Sequence, residues 1–274
     1  MKPLAPRPSS PSGVRQAPAA TAPQVLGQWP QGAGLDRAAP PQALLEGRAL
    51  SDHLPLLSAP TAVGRVLTYN VLTQARAADG RVNNGFGATE TTAQYEALLA
   101  KLGAQLGELT RPSDVTLALL QEAPRDPAQL ALLEKGLGPG WTLVGAPTQG
   151  ERFGTAVAVR DAAFELGRSP PPELDHQAGR VQVLTLKPRD GSAPVQLANV
   201  HLAWGDDAVA DLRALAQAPR TIIAGDFNRE PDHPLRRLDA LAGVKVAFPR
   251  GPSSVAFADR DRLRRIDGFV FKGV

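Results

Sequence analysis

Ile222-Ile223-Ala224-Gly225-Asp226-Phe227-Asn228-Arg229-Glu230-Pro231 reads as an apolar strand that runs into a glycine and then delivers a carboxylate and a carboxamide. Strand side chains alternate between faces, so Asp226 and Asn228 are expected on one side and Phe227 on the other, in the core. A carboxylate beside an amide suits a hydrated cation and a phosphate. The acid can ligate a hard ion or take a proton from water, and the amide can donate to an anionic oxygen. An asparagine-terminated turn after a buried strand is the plain alternative. The other strand ends decide between the two.

Working outward, the same arrangement recurs. A strand over 65–72 carries Asn70 near its end, one over 115–121 runs into Glu122, one over 195–202 ends at His201, and the last, over 265–271, opens on Asp267. Ahead of them, Asp52-His53 leads into a short apolar segment at 54–57, and the brief connection 58–64 predicts that this segment lies antiparallel to the 65–72 strand. Further strands are predicted at 141–144, 155–159 and 181–186. Helices are predicted at 89–109, where Tyr95, Leu98, Leu99, Leu102 and Leu106 recur at helical spacing behind a threonine cap, and at 127–135, 208–218 and 234–242. Helices interleaved with a larger number of strands predict an α/β (α+β) sandwich of sheets covered by helices.

Composition narrows the chemistry. The 274 residues contain no cysteine, which excludes disulfides, thiolate metal sites and thiol nucleophiles. Any metal must then sit on oxygen or imidazole ligands. Hydrophobic residues make up 43% and aromatic ones only 5%, so aliphatic side chains must fill the core. The net charge of +3 is already present in residues 1–41, which leaves the remainder neutral. Residues 1–41 are rich in Pro, Ala, Gln, Gly and Ser without periodicity and are expected to form a disordered basic tail ahead of one domain at 42–274. That tail lacks the apolar run of a secretory signal, and no stretch approaches the ~20 apolar residues of a membrane span. The expectation is a soluble chain with a cytoplasmic location favoured. Export by another address and an organellar transit peptide stay open.

Singly, each polar strand end has an ordinary explanation. A terminal histidine is commonly structural, and Asp267 beside Arg264 and Arg265 could form a surface ion pair. Together Asp52, His53, Asn70, Glu122, His201, Asp226, Asn228 and Asp267 are hard-oxygen, amide and imidazole groups, with neither a serine elbow nor a glycine-rich phosphate loop beside them.

On Thr68-Tyr69-Asn70-Val71-Leu72, Leu120-Gln121-Glu122, Gly154-Thr155-Ala156-Val157, Asn199-Val200-His201-Leu202, Gly225-Asp226-Phe227-Asn228, Arg265-Ile266-Asp267 and Ser51-Asp52-His53-Leu54-Pro55, the chain resembles the exonuclease-endonuclease-phosphatase superfamily, which includes pancreatic deoxyribonuclease. The resemblance implies a four-layered αββα sandwich with the site at one edge of two packed sheets. One feature departs from the family. There the Ser-Asp-His-x-Pro segment comes last, whereas here it precedes the Asn70 strand, which resembles a circular permutation. Joining chain ends that lie close together is physically inexpensive.

Carried over, the resemblance implies Glu122 as the main Mg²⁺ ligand, with Mn²⁺ a possible substitute, and Asn70 and Asp52 lining the metal site. It implies Asp226 as the group that orients or deprotonates water, and Asn228 as a holder of a phosphate oxygen. His53, oriented by Asp267, would stabilise phosphoryl charge, and His201 would contact the phosphate from the other side. The asparagine-x-histidine strand is similar to that of deoxyribonucleases, sphingomyelinases, inositol-polyphosphate phosphatases and deadenylases, and differs from the abasic-site endonucleases. A nucleic-acid substrate is the first expectation, with Arg152, Arg160, Arg180, Arg189, Arg229, Arg236, Arg237, Arg262, Arg264 and Arg265 as candidates for a phosphate-tracking groove. A small-molecule or lipid-headgroup phosphodiesterase or phosphatase is the second, and a catalytically inactive binding module or exported effector the third.

Overall fold

A computed structural model describes residues 22–26, 51–72, 77–78, 81–82, 91–146, 154–167, 180–202, 208–230, 238–255 and 263–274. In chain order the first strands are β1 (Gln24–Val25), β2 (Leu56–Leu57), β3 (Arg65–Asn70), β4 (Ala77–Ala78), β5 (Arg81–Val82), β6 (Val115–Ala123), β7 (Trp141–Gly145) and β8 (Gly154–Arg160). Strands β4 and β5 pair as a separate ribbon, and the others form a six-stranded sheet in the order β1-β2-β3-β6-β8-β7. There follow β9 (Phe164–Gly167), β10 (Val181–Pro188), β11 (Val195–His201), β12 (Thr221–Asp226), β13 (Val244–Ala247), β14 (Ser254–Val255), β15 (Leu263–Arg264) and β16 (Asp267–Lys272). Strands β14 and β15 make a second ribbon, and the rest form another six-stranded sheet in the order β13-β16-β12-β11-β10-β9. The expected antiparallel pairing of β2 with β3 is present, with Leu56 opposite Thr68.

Alternation along the strands assigns the layers. Val66, Leu117, Leu119 and Val157 of the first sheet meet Leu197, Ile222, Ala224 and Phe269 of the second in one buried cluster between the sheets. The opposite faces are Leu67, Tyr69, Ala118 and Leu120, packed under the Thr92–Leu109 and Pro127–Leu137 helices, and Ala198, Val200, Ile223 and Val270, packed with Leu212 and Leu215 of the Ala208–Leu215 helix. These three cores define the four layers of the expected αββα sandwich. The longest helix is capped by Thr91, whose side chain and that of Gln94 satisfy each other's backbone N–H groups in a capping box. It crosses its neighbour so closely that a Cβ on Gly136 would lie 2.0 Å from the Gly103 carbonyl carbon.

The faces between the sheets turn polar at one end. In β3 the inward positions run Val66, Thr68, Asn70; in β6 they run Leu117, Leu119, Gln121; in β11, Leu197, Asn199, His201; in β12, Ile222, Ala224, Asp226. Gln121 and Asn199 cross the gap: Gln121 Nε2 donates to Asn199 Oδ1 at 2.7 Å, and Asn199 Nδ2 donates to the carbonyls of Leu120 and Ala156, each at 2.9 Å. Both amides are fully buried.

Three sequence expectations change. Within 1–41, Gln24–Val25 is an edge strand antiparallel to Leu56–Leu57, because the open edge of β2 offers unpaired backbone groups and Val25 and Leu26 find apolar surface. The remaining residues of 1–41 lie outside those described. Of the helix expected at 234–242, residues 238–240 form a single 3₁₀ turn before β13, and 231–237 lie outside the described residues. Finally, the edge strands β9 and β13 are four residues each, too short for a periodic pattern to reveal. Among the described residues no helix is long and apolar enough to cross a membrane.

Asn199→Ala removes the bond from Gln121 and the two bonds to the Leu120 and Ala156 carbonyls, while Gln121 keeps its contacts with Thr68 and the Leu119 carbonyl, and is expected to cost roughly 1–3 kcal/mol in urea unfolding. Gly225→Ala is expected to destabilise comparably, because its Cβ would sit 1.9 Å from the Val200 carbonyl oxygen on the paired strand. A midpoint within error of wild type for Asn199→Ala would show that the amide bridge does not join the sheets energetically.

Candidate active site

The parallel pairing of β11 with β12 puts His201 directly opposite Asp226, and the antiparallel pairing of β12 with β16 puts Asp226 opposite Asp267. Three of the expected residues thus stand in one row across the end of the second sheet. Asn70 comes from β3 of the facing sheet, where its Nδ2 donates to Asp226 Oδ2 at 3.2 Å and to Glu122 Oε1 at 3.2 Å. Its Oδ1 accepts from the Leu72 N–H at 3.1 Å, so Asn70 bridges two carboxylates through its nitrogen in this arrangement and turns its oxygen away from them.

Glu122 reaches the site by a local irregularity. Parity along β6 would send it to the helix-covered face, since Gln121 points between the sheets. Instead its φ is 54° and the register with β8 shifts between Gln121 and Ala123. A bulge with a left-handed residue turns the side chain toward the mouth of the gap. Asn228 is similar. The strand ends at Asp226, and Asn228 has φ 50° with its N–H on Asp226 Oδ1 at 2.8 Å and its Nδ2 on the Leu202 carbonyl at 2.8 Å. Continuing strand alternation, the stated reason for expecting Asp226 and Asn228 together, does not extend that far. A turn closed by the aspartate brings Asn228 there, while Phe227 is buried in the core as expected.

The Ser51-Asp52-His53 segment joins this cluster from the N-terminal side. Ser51 Oγ donates to the Asn70 carbonyl at 2.7 Å and accepts from the His53 N–H at 3.2 Å, which ties the segment to β3. His53 Nδ1 donates to Asp267 Oδ2 at 2.9 Å. Its other nitrogen, Nε2, lies 3.7 Å from Asp226 Oδ2 and 3.9 Å from Asp52 Oδ2. On the far side, His201 Nε2 lies 3.6 Å from the same Asp226 oxygen and 3.9 Å from Glu122 Oε1. Asp226 Oδ2 is therefore flanked by two imidazoles and an amide. All eight sequence-derived site residues converge here, and seven of them are buried.

Sequence reading assigned no role to the groups that hold this cluster. Gln121 and Asn199 appeared only as parts of quoted motifs, and Pro252-Ser253-Ser254 resembles an ordinary turn. Ser254 Oγ lies 3.3 Å from His53 Nε2, and Ser253 Oγ accepts from the Asp267 N–H at 3.3 Å. Of the six arginine candidates within the described residues, two are at the opposite end of the sheets and serve the fold. Arg160 donates to the Val115 and Pro112 carbonyls and lies over the Trp141 ring, and Arg189 donates to the Asp161 carbonyl. Arg180, Arg229, Arg264 and Arg265 are at the site end. Arg152, Arg236, Arg237 and Arg262 lie outside the described residues.

The electrostatics are those of crowded acids. Burial, then Glu122 and Asp226, push the Asp52 carboxyl up to about 7 against the pull of His53. Burial also raises Asp226, with Asp267 adding to it and the two histidines opposing. Burial alone would lower the His53 imidazole, but Asp267, Asp52 and Asp226 outweigh it and hold it well above its ordinary value. A donor set of carboxylate oxygens that repel one another, without thiolates, fits a hard divalent cation. The ligand atoms of His53, Asp226 and Asp267 also lie within 4.8 Å of one another and could hold an ion. Within that group His53 Nδ1 and Asp267 are themselves hydrogen-bonded at 2.9 Å.

Raised values mean that the folded protein holds protons the unfolded chain releases, so these groups stabilise at low pH and the contribution fades as pH rises. For Asp52 the loss runs from its ordinary 3.8 to about 7, and for His53 it begins near 6.5 and continues upward. The metal-free protein is expected to melt lower at about pH 8 than at about pH 5, and Asp52→Asn should flatten the part of the change below neutrality. A flat profile for the wild type in EDTA would contradict the crowding.

Comparison with known proteins agrees with this architecture. The endonuclease/exonuclease/phosphatase family profile matches residues 67–273, which is most of the chain. Solved structures with the same fold include an endonuclease/exonuclease/phosphatase from Bacteroides vulgatus, at 15% identity over 76% of this chain and 87% of that one, with a TM-score of 0.51. Another, an endonuclease/exonuclease/phosphatase family protein from Bacteroides thetaiotaomicron, has 17% identity over 76% and 82%, with a TM-score of 0.51. A functionally unknown conserved protein from Enterococcus faecalis V583 has 17% identity over 76% and 87%, with a TM-score of 0.50. At such identities the structural likeness speaks for the fold alone. No curated protein sequence matches the chain. With two packed sheets, a polar edge lined by acids and imidazoles, and a profile match across most of its length, the chain belongs to the endonuclease/exonuclease/phosphatase family and is a phosphoric ester hydrolase.

Proposed function

We propose that the protein is a metal-dependent nuclease that hydrolyses phosphodiester bonds by in-line attack of water. The observation that carries the reading is the shared carboxylate oxygen: Asp226 Oδ2 lies 3.7 Å from His53 Nε2 and 3.6 Å from His201 Nε2. Two imidazoles converging on one acid suit a phosphoryl group held between them, with the acid beside the attacking water. In this reading Asp226 takes a proton from water as the new P–O bond forms. His53, kept in one tautomer by Asp267, donates from Nε2 to a phosphoryl oxygen. His201 passes a proton to the leaving oxygen as its bond to phosphorus breaks, and Asn228 holds a phosphoryl oxygen. Glu122 would be the main residue to hold Mg²⁺, or Mn²⁺ as a substitute, with Asp52 beside it, and Asn70 would join them only with its amide turned over so that Oδ1 faces the acids. Bound there, the cation supplies neutralisation of charge developing on the phosphoryl oxygens.

The same reading takes the chain as a circular permutation, with Ser51–Pro55 in the position that a C-terminal segment holds in the family. Its support is the His53–Asp267 pair, formed across 214 positions of sequence, and the family match, which starts at residue 67 and so leaves Ser51–Pro55 outside it. A polynucleotide is favoured over a small phosphate ester by Arg180, Arg264 and Arg265 at the site end, whereas Arg229 is buried on the Asn228 carbonyl. Residues 1–41, apart from their edge strand, are read as a basic tail outside the catalytic domain.

Hydrolysis of bis(p-nitrophenyl) phosphate and of labelled single-stranded DNA and RNA is expected with Mg²⁺ or Mn²⁺ and is expected to stop in EDTA. Glu122→Ala, Asp226→Ala and His53→Ala should each reduce turnover at least ~10²-fold with the fold intact. Metal-dependent turnover that survives His53→Ala would sink the permuted assignment. Cleavage of the small diester with neither polymer cut would favour the small-ester reading.

A further inference from the structure

We propose that Ser254 is a positioning residue for His53, its hydroxyl steadying the second ring nitrogen of the imidazole while Asp267 holds the first. The proposal rests on the reading of His53 as the group that faces the phosphate.

Two consecutive serines at 253–254 would be expected in a solvated turn, yet their exposures are 0% and 2%. Buried hydroxyls need partners. Ser253 finds them in the frame: its N–H donates to the Arg264 carbonyl at 2.7 Å, its carbonyl accepts from the Leu54 N–H at 2.7 Å, and its Oγ accepts from the Asp267 N–H. Ser254 pairs with Arg264 on one side and forms an antiparallel bridge with His53 on the other. The segment is thus a short strand laid between the two pieces of chain that supply His53 and Asp267.

Within that frame the Ser254 hydroxyl reaches His53 Nε2 at 3.3 Å, whereas the carboxylates facing that nitrogen lie farther off, at 3.7 and 3.9 Å. A ring bonded only at Nδ1 can still swing about its side-chain torsions, and small misplacements of a reacting group are costly. A second contact on the opposite edge removes that freedom. A hydroxyl suits the task because it both donates and accepts, so it can hold the ring before a phosphate arrives and rotate aside without moving its own backbone.

The test uses the full chain and bis(p-nitrophenyl) phosphate with Mn²⁺. Ser254→Ala is expected to lower kcat about ten-fold with KM changed less than about twofold, and Ser254→Thr, which keeps the hydroxyl, to retain most of kcat. In a His53→Ala background, Ser254→Ala should cost nothing further, because a residue acting through His53 has no effect once the imidazole is gone. In the metal-free protein, the far-downfield N–H proton resonance of the His53–Asp267 pair should broaden in Ser254→Ala through exchange with water. If Ser254→Ala does not fold, Ser254→Cys, similar in size and a poor hydrogen-bond donor, carries the same expectations.

Wild-type kcat with an unchanged resonance would overturn the proposal, as would an equal loss in the His53→Ala background, which would mark a merely structural role. A wild-type protein inactive on every ester would overturn the functional reading instead, and the resonance alone would then decide the role of Ser254.

Discussion

The amide bridge between Gln121 and Asn199 is the interaction on which the site's geometry depends. Two twisted sheets packed through aliphatic side chains have no strong preference for one offset over a slightly different one, because the hydrophobic effect is not directional. A 2.7 Å hydrogen bond between buried amides, with two further bonds from Asn199 to the backbone of the facing sheet, is directional and allows one offset. Glu122 follows Gln121 and His201 lies two residues beyond Asn199, so fixing the offset fixes how far apart the acid and the imidazole sit.

With the sheets locked, the site can carry features that would be costly elsewhere. Glu122 and Asn228 both adopt positive φ, a conformation that disfavours side chains: Glu122 thereby turns into the gap where regular alternation would not put it, and Asn228 is placed by a turn after the strand has ended. Several carboxylates share a buried edge with two imidazoles; burial, with the repulsion between the acids adding to it, raises Asp52 and Asp226. A loosely packed edge would relieve that repulsion by splaying apart. Here Gly225 allows β11 and β12 to approach too closely for any side chain between them, and the acids stay where the strands put them.

The histidine paired with Asp267 comes from a segment 214 positions away in sequence. It stands near the beginning of the chain, joined to the site by Ser51 on Asn70, by β2 on β3, and by the Ser253–Ser254 strand on its other side. Strand β1, itself on the edge of β2, extends that anchorage outward. Each tie is short. Together they hold the segment against Asp267.

Much of this was legible in the sequence because it depends on local periodicity. Apolar runs ending in a polar residue located β3, β6, β11 and β12, and the motif set carried the family, the layer order and the eight candidate residues that converge at the sheet edge. The roles of Gln121, Asn199, Ser253 and Ser254 were not legible. A buried glutamine and a solvated one look alike in a sequence, and a serine pair after a proline reads as a turn until another strand is seen against it. Nor could alternation account for Glu122 and Asn228, whose side chains depend on a bulge and a turn rather than on a period. The sequence by itself determined which residues could do chemistry and which strands would be buried, since these follow from side-chain type and a period of two. Only the tertiary structure decided how the two sheets meet, because partners such as Gln121 and Asn199, 78 positions apart, are set by sheet register and backbone irregularities that local patterns do not encode.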